Sequence, residues 1–255
     1  MMVQGLNRPV ILETKNLTRD FGGLRAVNEV NLQMREGELM SIIGPNGAGK
    51  TTFFNLLSGH LFPTQGQIFF MGKEITRFPS YRRSMLGIGR SFQLTNIFPN
   101  LTAFENVRVA AQSRKITYDF WRNWRAHEDI SRKADAILKR VQLSHKRDVL
   151  ANTLAYGEQR YLEMGIALAT DPALLLLDEP TSGMSPEESR QTAHFIKELS
   201  QQVNIILVEH DMEVVMNISD KVTCMDSGSV VACDSPEEIR KNPKVQQCYL
   251  RESPC

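Results

Sequence analysis

The octapeptide GPNGAGKT occupies residues 44–51 and decides the fold of this 255-residue chain. It matches the pattern G-x-x-x-x-G-K-[S/T], in which glycines let backbone N–H groups curve around phosphate oxygens. The apolar run LMSII at 39–43 before it predicts a buried strand, and TTFFNLLSGHL at 51–61 after it has the apolar spacing of a helix. A phosphate-binding loop requires this strand–loop–helix context, whereas a dinucleotide site would need the spacing G-x-G-x-x-G.

Each part of this loop has an expected role in binding a nucleotide with Mg²⁺. Lys50 would reach the β- and γ-phosphates, and the Thr51 hydroxyl would be a ligand of the metal. The dipole of the following helix adds a positive end near the phosphates. The expected nucleotide-binding residues are Gly44, Pro45, Asn46, Gly47, Ala48, Gly49, Lys50, Thr51 and Thr52.

A second motif, LLLLDEP at 174–180, predicts the other half of the site. A strand that is apolar on both faces is typical of a buried parallel sheet. Asp178 at its end needs a partner for its carboxylate, and a hydrated Mg²⁺ on nucleotide phosphates is such a partner. Glu179 is placed to polarise an attacking water as a general base. The two motifs together indicate a P-loop nucleoside triphosphatase.

The order of the other elements predicts the fold class. Strand-like runs at 10–20 and 27–34 precede the loop, and VNIILV at 203–208 predicts a further buried strand. Capping boxes at 102–105 and 185–188 predict helices that begin at Ala103 and Pro186. We therefore predict an α/β fold: a P-loop NTPase core with a mainly parallel sheet, an N-terminal antiparallel β part and a helical subdomain.

Composition excludes several classes of partner and site. Lys plus Arg number 30 and Asp plus Glu 29, so the formal net charge of +1 gives no global attraction to nucleic acid, which is not an expected partner. No apolar run approaches the ~20 residues that span a bilayer, and the N-terminus does not have the pattern of a signal peptide. The four cysteines, which contain no C-x-x-C pair, are expected to be reduced thiols rather than zinc ligands.

Six landmarks in order resemble the ATP-binding cassettes of ABC transporters. They are GPNGAGKT at 44–51, RSFQ at 90–93, LAYGEQR at 154–160, LLLLDEP at 174–180, SGMS at 182–185 and EH at 209–210. The resemblance covers nearly the whole chain. It implies one ATP-binding domain over 10–251, with the P-loop core at 10–92 and 165–251 and the helical subdomain at 93–164.

The resemblance also implies residue roles. Family cassettes form head-to-tail dimers in which the signature segment of one chain faces ATP on the phosphate loop of the other, which assigns nucleotide contacts to Ala155, Tyr156 and Gly157. The segment precedes a helical pattern, whose N-terminus favours the γ-phosphate. Gln93 would contact Mg²⁺ or the attacking water, and His210 the γ-phosphate. Phe21 matches the aromatic position that stacks on adenine, with an ordinary core position as the alternative.

Two departures from the family pattern predict weaker contacts between the chains of a dimer. The commonest signature is LSGGQ, and Ala155 removes its hydroxyl while Tyr156 replaces its first glycine. A hydrogen bond to a charged group is worth about 1.5–3 kcal/mol, so the loss of that hydroxyl should weaken the contact with the γ-phosphate. The segment SGMS ends in Ser185 where the family usually has Asp. Full symmetry of the two ATP sites therefore stays open.

Within the family, the sequence is most similar to importers of branched-chain amino acids, with urea importers close behind and lipopolysaccharide exporters a weaker match. This implies membrane permease subunits, a second cassette that is identical or different, and indirectly an extracytoplasmic solute-binding protein. The expected location is the cytoplasmic face of the bacterial inner membrane, as a peripheral subunit. The alternative, a non-transport ABC ATPase, usually needs two cassettes or a coiled-coil insertion, and an adenylate-kinase-like enzyme would leave LAYGEQR unexplained.

The apolar stretch after Gln93 is the predicted docking surface for a short helix of the permease. It contains Ile97, Phe98, Leu101 and Phe104. The alternative is that these residues pack the helical subdomain. The segment 114–133, which carries Trp121 and Trp124, predicts a partly solvated helix or loop, and a contact with a lipid headgroup or nucleic acid is its alternative.

Overall fold

The computed structural model of the chain describes residues 8–91, 97–113 and 124–250. The predicted site residue Gln93 and Trp121 lie outside these ranges. The strands are β1 (Val10–Phe21), β2 (Leu24–Arg35), β3 (Leu39–Ile43), β4 (Gln65–Phe70), β5 (Lys73–Glu74), β6 (Ile88–Arg90), β7 (Leu174–Asp178), β8 (Asn204–Val208), β9 (Lys221–Asp226) and β10 (Ser229–Asp234). The helices are α1 (Lys50–Ser58), α2 (Ser80–Leu86), α3 (Ala103–Gln112), α4 (Trp124–Arg140), α5 (Tyr156–Ala169), α6 (Pro186–Ser200), α7 (Met212–Ile218), α8 (Pro236–Lys241) and α9 (Pro243–Leu250).

Two sheets form the framework. The N-terminal sheet has the order β2-β1-β4-β5, and its recorded pairings are antiparallel. The second sheet has the order β10-β9-β3-β8-β7-β6, in which only β10 runs antiparallel to its neighbour. The predicted α/β fold, with its antiparallel N-terminal part and mainly parallel sheet, is confirmed.

The centre of the parallel sheet explains the long apolar runs in the sequence. All five residues of β3 and of β7 are buried, because helices that include α5 and α6 cover one face of the sheet, while α1 and the N-terminal sheet cover the other. Strand β8 lies between them and pairs in parallel with both. The loops that follow β3 and β7 therefore leave the sheet at the same edge, although they are about 130 residues apart in sequence.

Helix α1 is held by its buried face and at its C-terminus. Its apolar face, Phe53, Phe54, Leu56 and Leu57, is completely buried, as its spacing predicts. At its C-terminus, Arg83 is fully buried and donates hydrogen bonds to the carbonyl oxygens of Leu56 and Leu57 at 2.6 and 2.9 Å. A cation at a helix C-terminus satisfies carbonyls that have no partner within the helix.

Helices α3, α4 and α5 pack on one another and contribute to the cluster of buried side chains on one face of the parallel sheet. Both predicted capping boxes are present, at Thr102 with Glu105 and at Ser185 with Glu188. The predicted boundary of the helical subdomain at residue 164 falls within α5 and stays a prediction. Among the described residues, none of the helices combines the length and apolar character needed to cross a bilayer.

Candidate active site

The loop between β3 and α1 has a backbone path that only glycine permits at two positions. Gly44 has a φ of 148°, and a Cβ there would lie 2.1 Å from the carbonyl oxygen of Met225. Gly49 has a φ of 92°, and a Cβ there would lie 2.3 Å from the carbonyl oxygen of Ala26. Neighbouring strands therefore press against the loop from behind, which holds its amides in a fixed curve.

Lys50 is the first residue of α1, and its side chain folds back into the loop. Its Nζ donates hydrogen bonds to the carbonyl oxygens of Gly44 and Pro45 at 2.5 and 2.9 Å. The residue is only 8% exposed, so a positive charge lies within the curve of the loop. A buried ammonium beside backbone amides is an arrangement that binds phosphate.

Among the helices whose N-cap residue the structure describes, α1, α2 and α5 have no side-chain cap. Helices α3, α6, α7 and α8 are capped by the side chains of Thr102, Ser185, Asp211 and Ser235. By contrast, the N-cap residues of α1 and α5 are Gly49 and Ala155, neither of which offers a capping oxygen, and Pro79 before α2 offers none either. An uncapped helix N-terminus can give its first amides and its dipole to an anion.

Asp178 ends β7 and is 2% exposed. Its Oδ2 accepts a hydrogen bond from Nη2 of Arg90 at 3.1 Å, while Oδ1 has no hydrogen-bond partner among the described residues. Burial raises the pKa of Asp178, and the charge of Arg90 opposes that rise. A buried carboxylate with one oxygen committed and the other open suits a hard cation such as Mg²⁺.

Arg90, at the end of β6, joins Asp178 to α1. Its Nη1 donates to Oδ1 of Asn55 at 2.6 Å and to Oγ of Ser58 at 2.8 Å. Burial lowers the pKa of Arg90, and Asp178 counteracts this. Arg90 was given no role from the sequence, although it is the first residue of the landmark RSFQ at 90–93. Because Arg90 contacts both elements, the position of the carboxylate is tied to the helix that carries Lys50.

Glu179 and His210, predicted from separate motifs, lie together. Nε2 of His210 is 3.2 Å from Oε2 of Glu179, and the His210 side chain is 50% exposed while that of Glu179 is 16% exposed. Glu179 has a φ of 49°, a backbone conformation that is uncommon outside glycine, asparagine and aspartate. Its amide donates to the carbonyl oxygen of Val208 at 2.9 Å, which holds the backbone of Glu179 at the end of β8.

Glu209 is a buried residue that belongs to the landmark EH at 209–210 but was given no role from the sequence. It is 1% exposed, and its Oε1 accepts hydrogen bonds from the amide and hydroxyl of Thr181 at 3.0 and 2.6 Å. Its Oε2 accepts from the amide of His210 at 3.1 Å. The signal was similar to that of Asp178, an acidic residue where a buried apolar run ends. Glu209 links the turn after Glu179 to the backbone of His210.

The signature segment 154–157 departs from its expected structure. It was predicted to precede a helix, but α5 begins at Tyr156, so the segment includes the first helical residues. The reason is that Glu158 reaches back and accepts a hydrogen bond from the amide of Ala155 at 3.0 Å, which starts the helix early. Gly157 therefore lies in the first turn of α5, and the amides of this turn point out from the helix end.

The remaining predicted residues separate into exposed and buried positions. Phe21 is 43% exposed at the end of β1, with the Arg19 guanidinium 4.5 Å from its ring centroid, so it is not a core residue.

Phe98 is 54% exposed, as its predicted role in docking requires. Phe104 is 8% exposed and lies under the guanidinium of Arg147, which is 3.7 Å from its ring centroid, so its predicted place in a docking groove is wrong. The Phe104 amide donates to the carbonyl oxygen of Arg147 at 3.0 Å, which holds the start of α3 against the chain around residue 147.

Comparison with known sequences identifies the family that matches these features. The sequence profile described as "ABC transporter" matches residues 27–182. The chain is 41% identical over 257 residues to the high-affinity branched-chain amino acid transport ATP-binding protein BraF of Pseudomonas aeruginosa, covering 97% of this chain and 100% of that one. It is 39% identical to the corresponding protein LivG of Escherichia coli K12, covering 95% and 98%. The lipopolysaccharide export ATP-binding protein LptB of Haemophilus influenzae is 31% identical, covering 95% and 98%.

Solved structures match the same architecture. The ADP conformation of MJ1267, an ATP-binding cassette of an ABC transporter, has a TM-score of 0.85 and 30% sequence identity, covering 96% of this chain and 100% of that one. A dimeric structure of the bacterial ABC transporter cassette MJ0796 has a TM-score of 0.77 and 25% identity, covering 89% and 99%.

Proposed function

This chain belongs to the ABC transporter family as an ATP-binding subunit with ATPase activity, and we propose that its transporter imports branched-chain amino acids. The observation that carries the solute class is 41% identity to BraF over 97% of the chain. Identity to the lipopolysaccharide exporter subunit LptB is 31%, so the predicted exporter alternative has weaker support. None of the relatives described above is named for urea transport, which stays a prediction without that support.

Mg²⁺ is the proposed metal of the reaction, bound by Asp178 and Thr51, with Gln93 as the third predicted ligand. The open Oδ1 of Asp178 fits this assignment, since it is a buried carboxylate oxygen with no hydrogen-bond partner in the described part of the chain. When bound, Mg²⁺ neutralises charge on the β- and γ-phosphates. In the same part of the chain, no cluster of three His, Cys, Asp or Glu side chains forms a metal cage. A site that shares its ligands with phosphates and water needs no such cage.

Glu179 is the proposed general base. Its side chain is only partly exposed, and His210 is within ion-pair distance of its carboxylate. The carboxylate takes a proton from water as the water attacks the γ-phosphate, and His210 orients the carboxylate and stabilises developing charge. Lys50 and the amides of the 44–51 loop hold the phosphates in place for this attack.

Dimerisation would complete each site. The uncapped start of α5, at Ala155, Tyr156 and Gly157, is the proposed contact for the γ-phosphate bound by a second copy or a second type of cassette. The Ala155 amide is bound by Glu158, and the amides that follow it in the first turn have no side-chain cap, which supports this contact. The cassette MJ0796, which is similar to this chain, is itself described as dimeric. Phe21, exposed at the end of β1, is the proposed stacking surface for adenine.

The membrane permease is the proposed partner that receives the work of ATP hydrolysis. The predicted location, as a peripheral subunit at the cytoplasmic face of the bacterial inner membrane, follows from this partner. Phe98, an exposed aromatic side chain, lies five residues after Gln93 in the sequence. A groove of about 280 Å³ between α2 and α5 opens beside Arg90, which contacts Asp178. A permease helix in this groove would lie one side chain away from the proposed metal ligand. A solute-binding protein would act on the permease from the other side of the membrane.

The test of the ATPase assignment is the variant Glu179→Gln. We expect it to bind ATP with unchanged affinity, to accumulate as a dimer and to hydrolyse ATP about 10²–10⁴ times more slowly, as loss of a general base usually causes. The control is Glu198→Gln, which changes a carboxylate on the exposed face of α6. Hydrolysis by Glu179→Gln at the rate of this control would show that Glu179 is not the base.

The test of the transported solute is purification of the native complex with its membrane subunits. Mass spectrometry should identify permease subunits in the complex. After reconstitution into vesicles with the solute-binding protein, leucine, isoleucine or valine should stimulate ATP hydrolysis while urea should not. Stimulation by urea alone, or copurification with a lipopolysaccharide-binding permease, would contradict the proposal.

A further inference from the structure

Tyr156 makes a contact that ties the start of α5 to the loop between β7 and α6. Its hydroxyl donates a hydrogen bond to the carbonyl oxygen of Ser182 at 3.0 Å. Its ring also covers Gly183, where a Cβ would lie 3.4 Å from the ring. Since the family's commonest signature has glycine at the position of Tyr156, this contact depends on a side chain that the common signature lacks.

A buried ion pair holds the phenol of Tyr156 in this orientation. Nη2 of Arg160 donates to the Tyr156 hydroxyl oxygen at 2.9 Å, and Nη1 donates to Oε2 of Glu163 at 3.0 Å. The side chains of Arg160 and Glu163 are 7% and 5% exposed, so their geometry is fixed by packing. Because Arg160 donates to the oxygen of the phenol, the O–H group is directed at Ser182.

The loop that Tyr156 contacts carries the proposed general base. The amide of Ser182 donates to the carbonyl oxygen of Glu179 at 3.1 Å, which closes a tight turn over residues 179–182. Glu179 has a φ of 49°, and a non-glycine residue keeps such a conformation only where its surroundings hold it. Thr181, inside the turn, is held by Glu209 from one side. Tyr156 holds Ser182 from α5.

We propose that Tyr156 is a positioning residue for hydrolysis, which acts through Ser182 to keep Glu179 in its reactive place. This inference rests on the proposed function, in which Glu179 activates the attacking water. Tyr156 thus makes the start of α5 and the turn that carries Glu179 move as one unit. A displacement of α5 would change the position of the base without any change at the phosphate loop.

The test is the variant Tyr156→Phe, which removes one hydroxyl and keeps the ring. One hydrogen bond is worth about 0.5–1.5 kcal/mol, so kcat should fall about 2- to 10-fold while KM for ATP stays within twofold. Hydrogen exchange of the peptide 179–185 should become faster, because the Ser182 carbonyl oxygen loses the donor that holds the turn over residues 179–182 in place. The matched control is Tyr161→Phe on the same helix, whose hydroxyl lies 3.4 Å from the Thr192 hydroxyl. This control should change neither kcat nor the exchange of 179–185.

Three outcomes would overturn the inference. The first is a kcat and an exchange rate in Tyr156→Phe that equal those of the control Tyr161→Phe. The second is a rise in KM without a fall in kcat, which would mean that the phenol contacts nucleotide directly. The third is a loss of kcat in Tyr161→Phe as large as that in Tyr156→Phe. If Tyr156→Phe does not fold, Gly183→Ala strains the loop under the Tyr156 ring, because Gly183 has a φ of 79°. Its kcat should fall with KM unchanged, and an unchanged kcat would count against the proposal. Absence of hydrolysis in the wild-type chain would instead refute the proposed function.

Discussion

Replacement of Glu209 by glutamine tests whether one buried carboxylate organises the two loops that carry Glu179 and His210. The carboxylate accepts three hydrogen bonds, two from Thr181 and one from the amide of His210. In Glu209→Gln the amide oxygen can replace Oε1 and still accept from Thr181. The NH₂ group then faces the His210 amide, so two donors meet at a position where the wild-type distance is 3.1 Å.

The expected loss of stability follows from this count of bonds. One hydrogen bond to a charged acceptor is lost, worth about 1.5–3 kcal/mol, and the two bonds from Thr181 lose the benefit of the charge. We expect the free energy of unfolding to fall by about 2–4 kcal/mol. For a chain of this size each kcal/mol shifts the melting temperature by about 2–4 °C, so Tm should fall by about 4–16 °C. We also expect kcat to fall about tenfold, since a loss of 1.4 kcal/mol of positioning is a factor of ten.

The assays are thermal unfolding and steady-state ATP hydrolysis, with Glu198→Gln as the matched control. Glu198 faces solvent on α6 and pairs with His194, so its replacement should change Tm by no more than about 2 °C. A double-mutant cycle with Thr181→Val would then measure the coupling between residues 181 and 209 directly. If Glu209→Gln melts at the same temperature as Glu198→Gln and hydrolyses ATP normally, the carboxylate does not organise these loops.

Three further predictions address separate parts of the molecule. Lys50→Ala should bind a fluorescent ATP analogue at least about 10 times more weakly, because a charge-assisted bond to phosphate is lost; unaltered affinity would contradict the assignment of the phosphate loop. Phe98→Asp should abolish copurification with the permease while the isolated chain still hydrolyses ATP, with Met71→Asp, at an equally exposed site, as the control; loss of folding would refute a docking role. Burial raises the pKa of the Cys224 thiol from 9.0 to about 12, so at pH 8 iodoacetamide should label the half-buried Cys233 and spare Cys224 until the chain unfolds, as mass spectrometry can measure. Because the unfolded thiol ionises first, Cys224 should also make stability fall as the pH rises from about 9 toward 12; rapid labelling of native Cys224 would contradict both statements.

Sequence alone predicted the parts of the fold that depend on local chemistry. The two capping boxes were predictable because an N-cap and its glutamate are three residues apart, within reach of one helical turn. The buried strands β3, β7 and β8 were predictable because a strand covered on both faces needs a mainly apolar run. The apolar face of α1 followed from its helical spacing in the same way.

The features that sequence analysis missed depend on contacts between distant segments. Arg90 meets Asp178 across 88 residues, and Tyr156 meets Ser182 across 26. Nothing in the local pattern of either residue specifies its acceptor. Phe104 was misjudged for the same reason, since its burial depends on Arg147 and the packing of α3. The residue types predicted which side chains could act as acids, bases or ligands, and the topology determined which of those side chains are in contact.

The left-handed backbone at Glu179 makes thermal stability and ATP turnover depend on opposite choices of residue at this position. Glycine would adopt a φ of 49° without strain, so a screen for heat resistance alone should enrich Glu179→Gly, along with asparagine. Each such variant would have a higher melting temperature but would lack the proposed general base. Laboratory evolution toward a thermostable form would therefore need selection for transport at every round. Without it, the first gains in stability would come from replacing Glu179, the proposed general base.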